Sequence, residues 1–430
     1  MKILRGYKEA RRSLERALPY DITMEEYNKI ETTVKEIIQT VKKEGDRALY
    51  HYTERFSGAR LKCLETSPKE IAAGYKSADR ELIRSLKIAA GRIRSFHKKC
   101  MQKIGAGFIR DGVGQRILPL ERVGIYVPGG TASYPSTVLM TAIPARVAGV
   151  HEIVMVTPCN SDGNIPVNTL AAARVAGVDR IFKIGGAQAI AALAFGTRSV
   201  PRVDKICGPG NIYVMMAKKL LYGTVAIDSL QGPSEVVVIA DASANPAFCA
   251  ADLIAQSEHD AMASAVFITT SETMAWKVQA ELNEQMKGLK RKSIAANALT
   301  ANGHIVIVQN LDEAIELANL YAPEHLSLMV SQPQEYVQRI KNAGCICVGE
   351  YSPVVMGDYV AGPSHALPTG GSARFSSPLV VQDFLKISSI ISLADNIIDN
   401  LGPVAITIAE NEGLTGHARA IRIRLNNKIK

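Results

Sequence analysis

Residues 123–130 read Val123-Gly124-Ile125-Tyr126-Val127-Pro128-Gly129-Gly130, a strand-length apolar run that ends in a turn no strand continues through. The same design recurs three times. Residues 152–156 run into Thr157-Pro158, residues 180–184 into Gly185-Gly186, and Lys205-Ile206-Cys207 into Gly208-Pro209-Gly210. Helix-length patterns separate these runs, which makes them βα units of a parallel sheet. A second series follows at 235–240, 265–269, 304–308 and 345–348. Two successive series predict an α/β chain with two open, doubly wound parallel sheets.

Outward from this centre the texture changes. Val34, Ile37, Ile38 and Val41 recur at helical spacing, as do Leu82, Ile83, Leu86, Ala89, Ala90, Ile93 and Phe96, so the first hundred residues read as helical. Residues 356–378 are rich in Gly, Ser and Pro and predict a long ordered loop, and the last fifty residues return to helical and mixed patterns. At 430 residues and 47% hydrophobic content, the chain is long enough for several cores. Its apolar runs are strand-length, which predicts no membrane span, and its charged start lacks the apolar core of a secretion signal. Seven scattered cysteines without a CxxC pair suggest reduced thiols in a cytoplasmic protein. The net charge of +9 raises nucleic acid as a partner, but no basic-aromatic interleaving accompanies it, and none is expected.

Several constellations carry chemistry. Ala322-Pro323-Glu324-His325-Leu326 sets a carboxylate beside an imidazole where a helical run, 311–320, gives way to a strand pattern at 325–330. Asn310 is the N-cap candidate of that run, with Glu313 three residues on. Neighbours in extended chain point to opposite sides, so only an irregular junction turns both groups toward one substrate. Such a pair suits a reaction with two proton transfers. Tyr126, Gln188 and Asn211 are polar residues at βα turns, where an open sheet binds ligands; each also reads simply as part of a tight turn. There is no GxGxxG fingerprint. Gln256 and His259 follow the Asn245-Pro246 helix start and share a helix face, while Asp358, His365 and His417 lie in Gly-rich surroundings. Two His, an Asp and a neutral oxygen donor make a zinc set if the fold brings them together. Cys207 has no base nearby and reads as a buried structural thiol.

Longer motifs contain these residues. Besides those quoted, they are Gly185-Gly186-Ala187-Gln188-Ala189-Ile190, Gly208-Pro209-Gly210-Asn211, Gly232-Pro233-Ser234-Glu235 and Gln256-Ser257-Glu258-His259. Further on come Ser364-His365-Ala366-Leu367-Pro368-Thr369, Arg374-Phe375-Ser376-Ser377 and Glu412-Gly413-Leu414-Thr415. In this co-linear set, from about residue 30 to the C-terminus, the chain resembles the histidinol dehydrogenases. The resemblance implies two incomplete Rossmann-like, aldehyde-dehydrogenase-like domains with small N- and C-terminal helical extensions. Its expected boundaries are an N-terminal arm at 1–25, a larger domain of 26–125 plus 233–378 with the zinc and acid/base residues, a smaller NAD-binding domain at 126–232, and a dimerisation module at 379–430.

It further implies oxidation of L-histidinol through the aldehyde to L-histidine with two NAD+, by a zinc-dependent homodimer. Carried over motif by motif, Gln256, His259, Asp358 and His417 are the zinc ligands, and Tyr126, Gln188 and Asn211 contact NAD. Ser234, His325 and Glu412 join the zinc ligands around the substrate, with Glu412 suited to its ammonium group. Glu412 and His417 act across the dimer. His325 takes the hydroxyl proton and Glu324 activates the water that attacks the aldehyde. Two departures stand out: Gln231 where the family usually has a small residue, and Asp260-Ala261 where Gly-Pro is common. The competing readings are a related zinc and NAD dehydrogenase of another polyol or hydroxy acid, and a non-catalytic nucleotide- or nucleic-acid-binding protein.

Overall fold

The computed structural model describes residues 1–15, 23–129 and 133–426. Gly130 of the opening motif, residues 16–22 of the expected arm and the last four residues lie outside that range. The chain divides into two compact units, residues 1–101 with 120–384, and residues 102–119 with 385–430.

In the first unit, strand β1 (Lys2–Arg5) opens the chain; in the second, β2 (Gly107–Arg110) and β3 (Val113–Pro119) come next. The first βα series carries β4 (Arg122–Tyr126), β5 (Glu152–Val156), β6 (Arg180–Phe182), β7 (Lys205–Cys207) and β8 (Ala226–Ile227). The second carries β9 (Glu235–Ala240), β10 (Ser264–Thr269), β11 (Gly303–Ile307), β12 (His325–Met329) and β13 (Cys345–Val348). Strand β14 (Leu385–Ile391) belongs to the second unit.

The first series forms a five-stranded sheet in the order β6-β5-β4-β7-β8, all parallel. The second forms a six-stranded parallel sheet, β1-β11-β10-β9-β12-β13. Numbered within its own series, each sheet has the strand order 3-2-1-4-5, a Rossmann order short of its last strand. Every residue of β9 is buried, because helices cover both faces. Val236 and Val238 meet Cys249 and Leu253 on one face, and Val237 and Ile239 meet Leu317 and Ala318 on the other.

The structure corrects several expectations. Residues 2–5 are not helical: they form the outer strand of the six-stranded sheet, pairing with β11. The helices Met24–Glu44 and Asp46–Ser57 share a core with Val154, Phe182 and Ile190 of the five-stranded sheet's series. Their apolar stripe marks a buried face without naming its partner. Residues 354–359 form a short helix begun after Pro353, so Asp358 sits on a helix within the expected loop. In the second unit, β14, β3 and β2 make an antiparallel sheet, and the helices Asp395–Asn411 and Thr415–Asn426 pack on each other. No described helix is long and apolar enough to cross a membrane.

The junction before β12 is as irregular as the side-chain argument requires. The helix Leu311–Tyr321 is capped by Asn310, whose Oδ1 accepts the Glu313 N–H at 2.9 Å. It ends at Ala322, which is fully buried and left-handed at φ 51 and ψ 62. A side chain other than glycine pays about 1–3 kcal/mol for that conformation. Ala322→Gly should therefore stay within about 1 kcal/mol of the parent, strain relief offsetting the freer unfolded chain. Ala322→Val should cost about 2–4 kcal/mol through strain and overpacking. Urea unfolding of both variants checks this, and an Ala322→Val protein as stable as the parent would refute the strained junction.

Candidate active site

The candidate acid/base pair stands at the amino end of β12, where His325 is opposite Val236 of β9 and Cys345 of β13. Glu324 Oε2 accepts the Glu235 N–H at 2.8 Å and the Gln256 Nε2 at 3.3 Å, and lies 3.7 Å from His325 Nδ1. The other ring nitrogen, Nε2, lies 3.3 Å from Asp358 Oδ1. Gln256, Glu324, His325 and Asp358 are all buried. His365 Nδ1 is 2.8 Å from the Asp358 carbonyl oxygen, so that nitrogen carries the proton and donates it.

Burial alone would discharge the His325 ring, but the Glu324 and Asp358 carboxylates outweigh it and raise its pKa well above the ordinary value. The arrangement thus stabilises the imidazolium that forms when the ring accepts a proton. Burial works against the Asp358 carboxylate as well; the His325 ring, with His365 and His259 further off, reverses this and lowers its pKa. Unlike His325, His365 has its pKa lowered by burial.

Gln256 occupies the last turn of the helix Pro246–Ser257, whose start is the expected Asn245 cap and Pro246. His259 lies just past that helix and is exposed, a small correction to the shared-helix reading. The chain stays helical through Glu258, and the His259 N–H still bonds the Gln256 carbonyl at 3.3 Å, so both leave the same turn. Ser234, half-buried, precedes β9. Among the described residues no three His, Cys, Asp or Glu side chains converge tightly enough to hold a metal unaided. The donor chemistry nevertheless fits a zinc ion. Gln256 turns its amide nitrogen to Glu324, which leaves the oxygen as ligand, and His259 and Asp358 are electrostatically coupled. One further ligand would complete a four-coordinate set.

The other candidate region lies at the carboxyl ends of the five-stranded sheet. The buried Tyr126 hydroxyl, at the end of β4, accepts the Gly186 N–H at 3.1 Å at the start of the helix Gly186–Phe195. Gln188 is buried one turn in, and its Oε1 has no hydrogen-bond partner among the described residues, an open acceptor of the kind a bound molecule satisfies. Asn211 caps the helix Ile212–Leu221 through Oδ1, leaving its amide nitrogen for a ligand. Gly208 has φ +109, and a Cβ there would stand 2.2 Å from the Tyr126 carbonyl oxygen, so only glycine lets the turn close on β4. Glycine turns and free helix N-termini fit a dinucleotide phosphate.

A buried ion pair fixes this turn from below. Asp228 bonds Lys218 and accepts the Gly208 N–H at 2.7 Å, while Lys218 Nζ also reaches the Gly208 carbonyl at 3.1 Å and Gln231 Oε1 at 3.3 Å. Gln231, the unusual residue before Gly232, is thus a buried member of the network. Cys207 is fully buried and its thiol pKa is pushed well up by burial, as a structural cysteine requires.

Glu412 and His417 belong to the second unit, where both are exposed. Glu412 closes the helix Asp395–Asn411 and His417 lies in the first turn of Thr415–Asn426, separated by the left-handed Gly413. Three polar residues of the first unit carry no role in the sequence reading. Glu235 completes a quoted motif and was legible there. Asp252, one turn before Gln256, is buried, accepts the Ser327 hydroxyl at 3.3 Å, and has its pKa raised to about 6 by burial. Thr369 accepts the Gly232 N–H at 2.6 Å.

Comparison with known proteins identifies the family. The family model for histidinol dehydrogenase matches residues 22–425. A histidinol dehydrogenase of Dehalococcoides mccartyi (strain ATCC BAA-2266 / KCTC 15142 / 195) is 50% identical over 438 residues, covering 99% of this chain and 100% of the relative. One from Clostridium acetobutylicum is 50% identical over 394 residues, covering 91% of each. The crystal structure of histidinol dehydrogenase from Elizabethkingia anophelis superposes with a TM-score of 0.93 at 36% identity, covering 100% of this chain and 99% of that one. With the fold and nearly the full length in common, the chain belongs to the histidinol dehydrogenase family.

Proposed function

We propose that this chain oxidises L-histidinol through L-histidinaldehyde to L-histidine with two NAD+, as a zinc-dependent cytoplasmic homodimer. The observation that carries this reading is the convergence of Glu324, His325, Asp358 and Gln256 at the amino end of β12. Gln256, His259 and Asp358 would hold the zinc ion, with His417 as the fourth ligand. Tyr126, Gln188 and Asn211 would hold NAD. Bound zinc would anchor the substrate's imidazole and amine, and NAD+ would accept a hydride in each oxidation.

The chain's own groups supply the proton transfers. His325 takes the hydroxyl proton as the alcohol becomes an aldehyde. Glu324, held through Oε2 by the Glu235 N–H, removes a proton from the water that attacks the aldehyde carbon. His325 returns its proton to the former carbonyl oxygen, giving a neutral gem-diol, and then takes a hydroxyl proton again as the second hydride leaves and the acid forms. Alcohol to acid is a loss of four electrons, hence two hydrides. Ser234 and Glu412 would complete the substrate pocket, Glu412 facing the ammonium. Exposed Leu401, Val404 and Ile408 on the helix Asp395–Asn411 support the second unit as a dimerisation surface that carries Glu412 and His417 to the partner's site.

Purified protein should yield two NADH per L-histidinol, lose that activity on chelation and recover it with zinc. Turnover of another polyol but not histidinol would overturn the substrate assignment. Glu324→Gln should slow aldehyde oxidation by about 100-fold or more and alcohol oxidation far less, while His325→Asn should slow both. Single-turnover kinetics with histidinol and with histidinal separate the two halves, and equal slowing of both by Glu324→Gln would refute the division of roles.

A further inference from the structure

We propose that Glu235 is a positioning residue for Glu324, an inference that rests on the reading of Glu324 as the group that activates water. Glu235 is the first residue of β9 and is buried. Its backbone and its side chain face different tasks. The N–H donates to Glu324 Oε2 at 2.8 Å, while side-chain Oε1 accepts the Gly370 N–H at 3.0 Å. Three residues earlier, the Gly232 N–H donates to Thr369 Oγ1 at 2.6 Å. The entry to β9 is therefore tied at two points to the 369–370 turn. That turn is itself closed, with the Ser372 hydroxyl and N–H donating to the Thr369 carbonyl at 2.6 and 3.1 Å.

The consequence for Glu324 follows from how a carboxylate is held. One oxygen, Oε2, takes the Glu235 N–H and the Gln256 amide, which leaves Oε1 as the oxygen for water. The Glu324 backbone is fixed on its far side, since the Cys345 N–H donates to its carbonyl at 2.8 Å and a Cβ on Gly344 would meet that oxygen at 2.6 Å. What remains adjustable is the carboxylate itself, and its position follows the Glu235 N–H. Releasing the Gly370 tie lets the start of β9 shift, and the donor shifts with it. A displacement near 1 Å at a catalytic group costs up to about 100-fold in rate. The loss falls on the step that uses Glu324 and spares the one that uses His325 alone.

The test measures alcohol and aldehyde oxidation separately in zinc-loaded enzyme, with histidinol and with histidinal. Glu235→Ala should slow aldehyde oxidation by about 10- to 100-fold, slow alcohol oxidation by less than about 3-fold, and release free aldehyde during histidinol turnover. Glu235→Gln keeps an acceptor oxygen for Gly370 and should restore aldehyde oxidation to within about 3-fold of the parent. Thr369→Val cuts the second tie without touching Glu235 and should show the same one-sided loss, which covers the case of a Glu235→Ala protein that does not fold. Equal slowing of both halves, or no slowing, in the variants that fold would overturn the proposal while Glu324→Gln still slows the aldehyde half. If Glu324→Gln itself lacks that selectivity, the role of Glu324 is wrong and the proposal falls with it.

Discussion

The site depends on one backbone constraint, the left-handed turn at Ala322 that precedes Pro323. In regular extended chain, Glu324 and His325 would project to opposite faces of the sheet. Entering β12 from a left-handed residue, with the next φ held by the proline ring, leaves Glu324 short of the strand and turned along its edge. The junction is then pinned to the neighbouring strand entry: the Gly344 N–H bonds the Pro323 carbonyl at 2.9 Å and the Cys345 N–H bonds that of Glu324 at 2.8 Å. The outcome is a carboxylate oxygen 3.7 Å from the ring that follows it in sequence. A buried strained residue persists only where its surroundings over-determine it, and here they do.

The two parallel sheets share a strand order, but the candidate residues lie at opposite edges of them. In the five-stranded sheet Tyr126 and Asn211 lie at and just past the carboxyl ends of β4 and β7, the pair that flanks the reversal of strand order. That is where open α/β sheets bind ligands. In the six-stranded sheet the corresponding pair is β9 and β12, yet Ser234, Glu235, Glu324 and His325 all lie at their amino ends. Connectivity accounts for it. A crossover helix runs back along the sheet, so the last turn of Pro246–Ser257 brings Gln256 to the amino edge. Residues 228–234, which join β8 to β9, also finish at that edge. They begin at Asp228 beneath the Gly208 turn and end at the Glu235 N–H on Glu324. One short segment thereby touches both candidate regions.

Much of this was legible in the sequence, and the gaps have physical causes. Apart from the two-residue β8, the strands of both βα series lie at the apolar runs, because parallel strands are buried on both faces. The helix caps at Asn245 and Asn310 read directly from residue type. The Glu324-His325 junction was recognisable as irregular because regular geometry could not serve both groups. By contrast, Lys2–Arg5 is too short and too charged to signal a strand, and its pairing with β11 spans some three hundred residues. The helices at 24–57 display a clear apolar stripe, but a stripe does not say which sheet it covers. Asp358 sits on a six-residue helix whose signal a Gly-rich context hides. The motif resemblance supplied what periodicity lacked, a reason to group Gln256, His259 and Asp358 before any geometry was known.

The remaining logic of the site is electrostatic. Glu324 and Asp358 are buried beside a single imidazole ring, and nearby Asp252 is buried too, its pKa pushed up to about 6 by burial. Buried carboxylates in excess of their partners are costly, and proteins keep such excess where a cation arrives. The candidate ligands add only neutral or weakly basic donors, Gln256 and His259, so they leave the negative charge in place for a divalent ion. A substrate with an ammonium group adds a second cation. His325 is then poised between two carboxylates that stabilise its protonated form, while Glu324 keeps one oxygen outside that pairing. In the proposed mechanism, the same surplus that would favour a metal also divides the labour between the two bases, the ring taking protons from substrate and the carboxylate from water.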